Sequence, residues 1–246
     1  HRISVSEIVM AENPYTDFRI TPSRSDSDEV TQVAPDIAVC PECLHDRKMQ
    51  PHRLQYPFIN CTHCGPRFSI IRDLPYDRRQ TTMSAFPMCS ECRKEYTTVS
   101  DRRFHAEPVA CNHCGPSYYT LYNKETLTDY PELLTLSSRL LREGEVIAAK
   151  GIGGYHLVCD ATNEQAVARL REIKHRDGKP FAVMFRDPEQ VRRFAWLNEV
   201  EEECLLSWRR PIVLLKQRRP LAASVNPGMQ TLGCMLPYMP IHEDWF

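Results

Sequence analysis

The chain has 246 residues, enough for one large domain or two modest ones, and its formal net charge of −1 argues against a general affinity for nucleic acid. No apolar run approaches the length of a membrane span, and no leader peptide is visible. Eleven cysteines, an odd number, recur in CxxC pairs, which points to thiolates on metal in a reducing cytoplasm rather than to a secreted disulfide framework.

In chain order, Ile3–Met10 has strand character and is followed by Asn13-Pro14, Thr21-Pro22 and a Ser/Asp run. Residues 1–30 therefore read as the last strand of an upstream domain and a linker. The absence of an initial methionine, and an end at Phe246 inside an apolar pattern, suggest a piece of a longer protein.

Residues 31–118 carry four knuckles: Cys40-Pro-Glu-Cys43, Cys61-Thr-His-Cys64, Cys89-Ser-Glu-Cys92 and Cys111-Asn-His-Cys114. A CxxC turn lets two thiolates grip one ion, and two such turns complete a closed tetrahedral zinc site. The knuckles form a repeat with a period of about fifty residues, since Cys61-Thr-His-Cys64-Gly-Pro-Arg-Phe is answered by Cys111-Asn-His-Cys114-Gly-Pro-Ser-Tyr. One zinc per repeat is favoured: Cys40, Cys43, Cys61 and Cys64, then Cys89, Cys92, Cys111 and Cys114. An interleaved pairing, with the first and fourth knuckles sharing a metal, stays open at this point. His63 and His113 are expected as donors behind the thiolates, and the aromatic after each Gly-Pro as a cover for the metal. The region is loop-rich and poor in aliphatic residues, so metal binding is expected to supply its folding energy.

Residues 119–246 change character. Leu133, Leu136, Leu140 and Leu141 give a helix over Pro131–Glu143 with Gly144 as its stop. Val146–Ala149 reads as a buried strand, and Lys150–His156 as a glycine-rich loop. Thr162 or Asn163 caps a helix through Lys174. Strands are expected at Phe181–Phe185, Pro211–Leu215 and from Gly233, and helices at Asp187–Phe194 and Glu199–Ser207. Alternating strands and helices give an α/β domain. Gly151, Gly153 and Gly154 fit neither a Walker loop nor a dinucleotide fingerprint, and read either as a tight turn or as backbone N–H groups approaching an anion. Lys174, Arg176 and Lys179 put three cations in six residues, as a phosphate clamp would, although cations are also favoured at any solvated helix end. Cys159, Cys204 and Cys234 lack metal spacing and read as small buried residues.

In combination, the CxHCGP knuckles, Arg103-Phe-His-Ala-Glu-Pro108, Lys150–Asn163, Lys179–Phe185 and Leu236-Pro-Tyr238 resemble the HypF family of hydrogenase maturation carbamoyltransferases over nearly the whole chain. The resemblance implies a YrdC-like α/β domain, preceded by two loop-rich four-cysteine zinc-finger modules and the end of an acylphosphatase-like domain. It implies carbamoyl phosphate and ATP with magnesium as substrates and activator. It also implies a carbamoyl-adenylate intermediate and the C-terminal cysteine of HypE as acceptor, on the way to the cyanide ligand of [NiFe] hydrogenase. The two zinc ions would be structural. Lys174, Arg176 and Lys179 match the family's phosphate-holding K-x-R and K-P pattern. Lys150, Gly151, Gly153, Gly154 and His156 occupy the place of its substrate-side loop. The Ser-x-Asn motif that YrdC-type proteins carry further on is read as absent from this sequence, so the adenylation site is expected to be incomplete. The alternative reading is a zinc-ribbon nucleic-acid module fused to a tRNA-modifying YrdC-type domain, and a third is a zinc scaffold that presents a partner surface.

Overall fold

In the computed structural model, residues 35–246 are described; the strand at Ile3–Met10 and its linker lie outside them. The cysteine region holds more helix than its composition suggests. Helix α1 (Pro41–Met49) starts inside the first knuckle, with Pro41 at a position where its missing N–H costs nothing. Helix α2 (Ser90–Thr97) starts inside the third. The second and fourth knuckles are tight turns, the former a 3-10 turn at Thr62–Cys64. Neither helix has an apolar stripe, since the described buried residues are Cys43 and Arg47 on α1 and Cys92 on α2. Hydrophobic periodicity therefore could not reveal them.

Strands β1 (Thr120–Tyr122) and β2 (Glu125–Leu127) form an antiparallel hairpin. Asn123 and Lys124 turn it, both left-handed at φ 50° and 69°. A type I′ hairpin turn needs this conformation at both positions, and the usual Asn-Gly signal is missing here. Helix α3 (Tyr130–Arg142) is capped by Asp129 accepting from Glu132 N–H, and Gly144 follows at φ 83°. Strands β3 (Ile147–Lys150) and β4 (Tyr155–Val158) pair antiparallel, so the expected loop at Lys150–His156 shrinks to a turn at 151–154. That turn is closed by Gly151 N–H donating to Gly154 C=O at 2.7 Å.

Asn163 caps helix α4 (Glu164–Lys174), and Asp187 caps α5 (Pro188–Phe194). A full capping box between Asn198 and Glu201 starts α6 (Glu199–Leu206). Strand β7 (Thr231–Met235) lies between β5 (Ala182–Met184), to which it runs parallel, and β6 (Val213–Lys216), to which it runs antiparallel. After β7 comes a short helix, α7 (Pro240–Asp244). Val167 and Val191 from the helices, and Val183, Leu215, Leu232 and Cys234 from the strands, pack into one core. Of the three remaining cysteines only Cys234 is fully buried; Cys204 is exposed, contrary to expectation.

The cysteine region and the α/β region share one compact unit, Thr31–Phe246. Arg47, buried on α1, forks onto both carboxylate oxygens of Asp244 on α7, with Nη1–Oδ1 at 2.8 Å. Tyr130 donates to the same carboxylate at 2.7 Å. Phe58 stacks on Tyr118 with centroids 4.8 Å apart. A bidentate, largely buried Arg–carboxylate pair fixes orientation as well as distance. No described helix is long and apolar enough to cross a membrane.

Candidate metal centres and phosphate loop

The eight knuckle cysteines gather as two sets, Cys40, Cys43, Cys61 and Cys64, and Cys89, Cys92, Cys111 and Cys114, each with its sulfurs within 4.8 Å of one another. This is the sequential pairing. Cys40–Cys61 are 3.6 Å apart and Cys61–Cys64 and Cys43–Cys64 3.9 Å; in the second set Cys89–Cys111 are 3.7 Å apart and Cys111–Cys114 3.8 Å. Disulfide sulfurs would be bonded at about 2.05 Å. Four sulfurs about 2.3 Å from a central tetrahedral ion lie about 3.8 Å from each other, so both sets have the dimensions of closed four-thiolate zinc sites. Hydrogen bonding within the first set divides its thiols: contact with Cys43 brings Cys40 down to about 7 and contact with Cys40 brings Cys61 down to about 6, while contact with Cys40 pushes the Cys43 thiol up.

The groups behind the sulfurs are arginines, not the expected histidines. His63 and His113 are exposed. Arg102 Nη1 instead lies 3.4 Å from Cys61 Sγ, and Arg53 Nη2 lies 3.3 Å from Cys92 Sγ. Each arginine reaches across to the other repeat's cysteines. The exchange extends to buried neighbours. Arg53 donates to Ala110 C=O at 3.0 Å and pairs with Glu95. Its counterpart Arg103 donates to Asn60 C=O at 3.1 Å and pairs with Asp46 at 2.6 Å. Thr62 N–H bonds Arg102 C=O, and Asn112 N–H bonds His52 C=O, both at 3.1 Å. Gln55 and His105 are left-handed at φ 54° and 50°. The repeats are thus related by an approximate two-fold exchange. Arg53 and Arg103 stand eight residues before Cys61 and Cys111, and Asp46 and Glu95 six after Cys40 and Cys89. That spacing was the available signal.

The aromatic covers also differ from expectation. Phe68 is exposed, whereas Tyr118 is buried against Phe58 and donates to Lys150 C=O at 3.1 Å. Gly115 is needed for a close approach: a Cβ there would stand 1.9 Å from the hydroxyl of buried Tyr56 and 2.7 Å from Ala110 Cβ. Gly115→Ala is expected to destabilise the second repeat by about 1–3 kcal/mol. Gly65→Ala meets nothing within 4 Å, and its cost is confined to the backbone at φ 67°. Thermal denaturation of the two metal-loaded variants checks this, with the larger drop at Gly115 and the smaller one at Gly65.

Of the three candidate phosphate-binding cations, Lys174 is the last residue of α4, and Arg176 and Lys179 lie on the loop after it. Lys174 and Lys179 are exposed, while half-buried Arg176 donates to Lys179 and Pro180 carbonyls at 3.2 and 2.7 Å and lies over Phe181. Arg176 therefore shapes the loop. Arg171, not anticipated, braces it: it donates to Arg176 and Lys179 carbonyls at 2.6 and 3.2 Å, and to Ser224 and Val225 carbonyls at 2.6 and 3.2 Å. The expectation that no Ser-x-Asn element follows is corrected here, because Ser224-Val225-Asn226 has that spacing and sits against the cation loop. Ser224 N–H meets Glu164 Oε2 at 3.1 Å, and Asn226 Nδ2 meets Gln217 Oε1 at 2.9 Å, so both residues also hold the loop's shape.

The glycine turn belongs to a different place. It joins β3 and β4, outside the β5–β7–β6 sheet, and lines a cavity against the first cysteine repeat whose wall includes Lys150 and Gly151 but none of the three cations. Gly153 and Gly154 complete the turn. Gly151 is required because His156 folds over it: a Cβ would lie 2.4 Å from that ring. His156 Nε2 and Tyr238 Oη are 2.9 Å apart, and buried His242 packs beside Tyr238 at 4.5 Å between centroids. Burial, followed by the neighbouring His156, pulls His242 down to about 4 and keeps it neutral near pH 7.

With these positions established, comparison with known proteins is informative. A family model described as HypF finger matches residues 39–71 and 88–121, and one described as Telomere recombination matches residues 139–246. The chain is 46% identical over 213 residues to a carbamoyltransferase HypF of Rhodobacter capsulatus, covering 87% of this chain and 28% of that one. It is 39% identical over 246 residues to a probable carbamoyltransferase HypF of Methanocaldococcus jannaschii, covering 98% and 32%. A full-length HypF solved in a phosphate- and nucleotide-bound form superposes with a TM-score of 0.79 at 50% identity, over 85% of this chain and 28% of that one. The HypF of T. kodakarensis does so with 0.82 at 47%, over 89% and 29%. The chain spans about a third or less of the length of each of these relatives.

Proposed function

The chain is a HypF-type sequence carrying the zinc-finger and YrdC-like sections, and on that premise we propose that it works within an ATP-dependent carbamoyltransferase. Carbamoyl phosphate and ATP are the substrates, and the C-terminal cysteine of HypE is the acceptor. The reading places the protein in the cytoplasm, where reducing conditions keep thiolates available to metal. The two cysteine sets each hold one zinc ion, with all four positions taken by sulfur and none left for a reacting water, so the ions stabilise structure.

The YrdC-like section activates carbamate. A carbamate oxygen attacks the α-phosphorus of ATP, the bond to the β-phosphate oxygen breaks, and carbamoyl-adenylate and pyrophosphate result. Negative charge gathers at the phosphorus, and fixed cations with magnesium stabilise it. Lys174, at the end of α4, and Lys179, on the following loop braced by Arg171 and abutting Ser224–Asn226, supply that charge. Two exposed ammonium groups, one at the end of α4 and one on the loop after it, with that loop tied through Arg171 to the Ser224 and Val225 carbonyls, are the observation that carries the reading. The nucleotide-bound state of a solved relative supports it.

In the full-length enzyme, Lys174→Ala is expected to slow ATP-dependent carbamoylation of the partner about ten-fold or more, equivalent to at least about 1.4 kcal/mol in the barrier. Release of phosphate from carbamoyl phosphate, assayed on the same protein, should be spared. Normal transfer by both Lys174→Ala and Lys179→Ala would reduce these residues to a solvated helix end.

A further inference from the structure

Each repeat's cysteine set is completed by side chains that the other repeat's set holds in place. Arg53 lies in the segment 44–60, closed at its ends by Cys43 and Cys61 of the first set. It nonetheless donates to Cys92 Sγ at 3.3 Å and pairs with Glu95, both of the second repeat. Arg102 and Arg103 lie in the segment 93–110, closed by Cys92 and Cys111 of the second set. Arg102 reaches three sulfurs of the first set, Cys61 at 3.4 Å and Cys40 and Cys43 at 3.8 Å, and Arg103 pairs with Asp46 at 2.6 Å. The backbone crosses as well. Thr62, inside the second knuckle, donates to Arg102 C=O through both N–H and Oγ1, at 3.1 and 2.8 Å. Asn112, inside the fourth, donates its N–H to His52 C=O at 3.1 Å and its Nδ2 to Leu54 C=O at 2.9 Å.

The donor chemistry makes this exchange consequential. Thiols lose their protons as zinc binds, and four thiolates around a divalent ion leave a net charge of about −2. Guanidinium N–H groups then meet anionic sulfur, and such charge-assisted contacts are the strong ones. An arginine can make that contact only from an ordered segment. Without its own metal each segment loses its closure, and ordering it costs chain entropy. An ion in the first set therefore orders Arg53 for the second, and an ion in the second orders Arg102 and Arg103 for the first.

We propose that the two cysteine sets bind zinc with positive cooperativity, carried by the crossed contacts of Arg53, Arg102 and Arg103. The module then acts as one two-metal unit, which passes from empty to doubly loaded over a narrower span of free zinc than independent sites would give. Linkage requires each set to raise the other's affinity by the same factor. The inference goes beyond the carbamoyltransferase reading and rests only on each set holding zinc.

Native mass spectrometry of the chain at half-saturating, chelator-buffered zinc tests the coupling by counting ions per chain. Independent sites leave about half of the chains or more singly loaded, whereas a ten-fold coupling between equal sites lowers that share to about a quarter. A share clearly below half is expected. Disabling the first set with Cys40→Ser and Cys61→Ser should weaken zinc at the second at least about ten-fold, and Cys89→Ser with Cys111→Ser should weaken the first set by a similar factor. Arg102→Ala, at a partly exposed position, should keep two ions at saturation while that factor falls. Half or more of the wild-type chains singly loaded, or a set whose affinity ignores the loss of the other, would overturn the coupling. A factor unchanged in both Arg102→Ala and Arg53→Ala would overturn it as an arginine-borne effect. Two ions bound independently would sink this proposal alone; fewer than two at saturation would sink the zinc reading and the coupling with it.

Discussion

Stripping zinc from the chain is expected to unfold residues 40–114 while the β5–β7–β6 sheet persists. The first repeat's buried cluster has seven members, Cys43, Tyr56, Ile59, Cys61, Cys64, Met83 and Ala110, and three of them are the metal-binding cysteines themselves. Too little apolar surface remains to offset the chain entropy of ordering the region. Structural zinc contributes about 10–16 kcal/mol in small finger modules, comparable to the whole stability of an ordinary domain. The sheet has its own core around Val183, Leu215, Leu232 and Cys234, with no metal-set cysteine in it. Hydrogen exchange before and after chelation should show protection lost across 40–114 and retained across Thr231–Met235. Metal analysis should give two zinc ions per chain, and Cys61→Ser should release the ion of its own set. Retained protection of 40–114 in metal-free protein would show that side-chain packing alone holds the region.

Arg53→Ala should produce the second large effect, and on the other repeat. The arginine is fully buried, yet its guanidinium serves Glu95, Ala110 C=O and Cys92 Sγ, all from the second repeat. Removing it leaves the buried Ala110 carbonyl without its partner and the largely buried Glu95 carboxylate with only His52 at 3.5 Å and Arg103 at 4.0 Å, a loss of about 3 kcal/mol. The zinc held by Cys89, Cys92, Cys111 and Cys114 should be the first lost to a competing chelator, although Arg53 lies between the knuckles of the first set. Arg53→Lys should not rescue it, because one ammonium cannot reproduce the planar fork. Arg103→Ala, paired with Asp46 and Asn60 C=O, should show the mirror behaviour. Zinc release kinetics resolved by site would decide the matter: preferential loss from the Cys40 set in Arg53→Ala would mean that the repeats are independent.

Several features were legible in the sequence because they are local. A CxxC pair places two thiolates within one turn whatever surrounds it, so the eight ligands were readable from spacing. Asp129, Asn163, Asp187 and Asn198 cap their own helices within three residues, and the leucine spacing of α3 is a property of one helix. The sequence also contained Ser224-Val225-Asn226, but only the hydrogen bonds from Arg171, 53 and 54 residues away, mark it as part of the cation loop.

The tertiary structure decided what depends on distant partners. Arg53 finds Glu95 and Cys92 across about forty residues, and Arg47 finds Asp244 across 197. No periodicity encodes such pairs, because buried charge is stabilised by whichever opposite charge the fold delivers. The same holds for the separation of the glycine turn from Lys174, Arg176 and Lys179. These stretches look adjacent in the chain, yet β3–β4 and β5–β7–β6 are separate sheets, and the cavity beside the glycine turn is lined by none of the three cations. Asn60 shows the limit most clearly. From sequence it is one polar residue before a cysteine; only the exchange of backbone carbonyls makes it equivalent to Ala110.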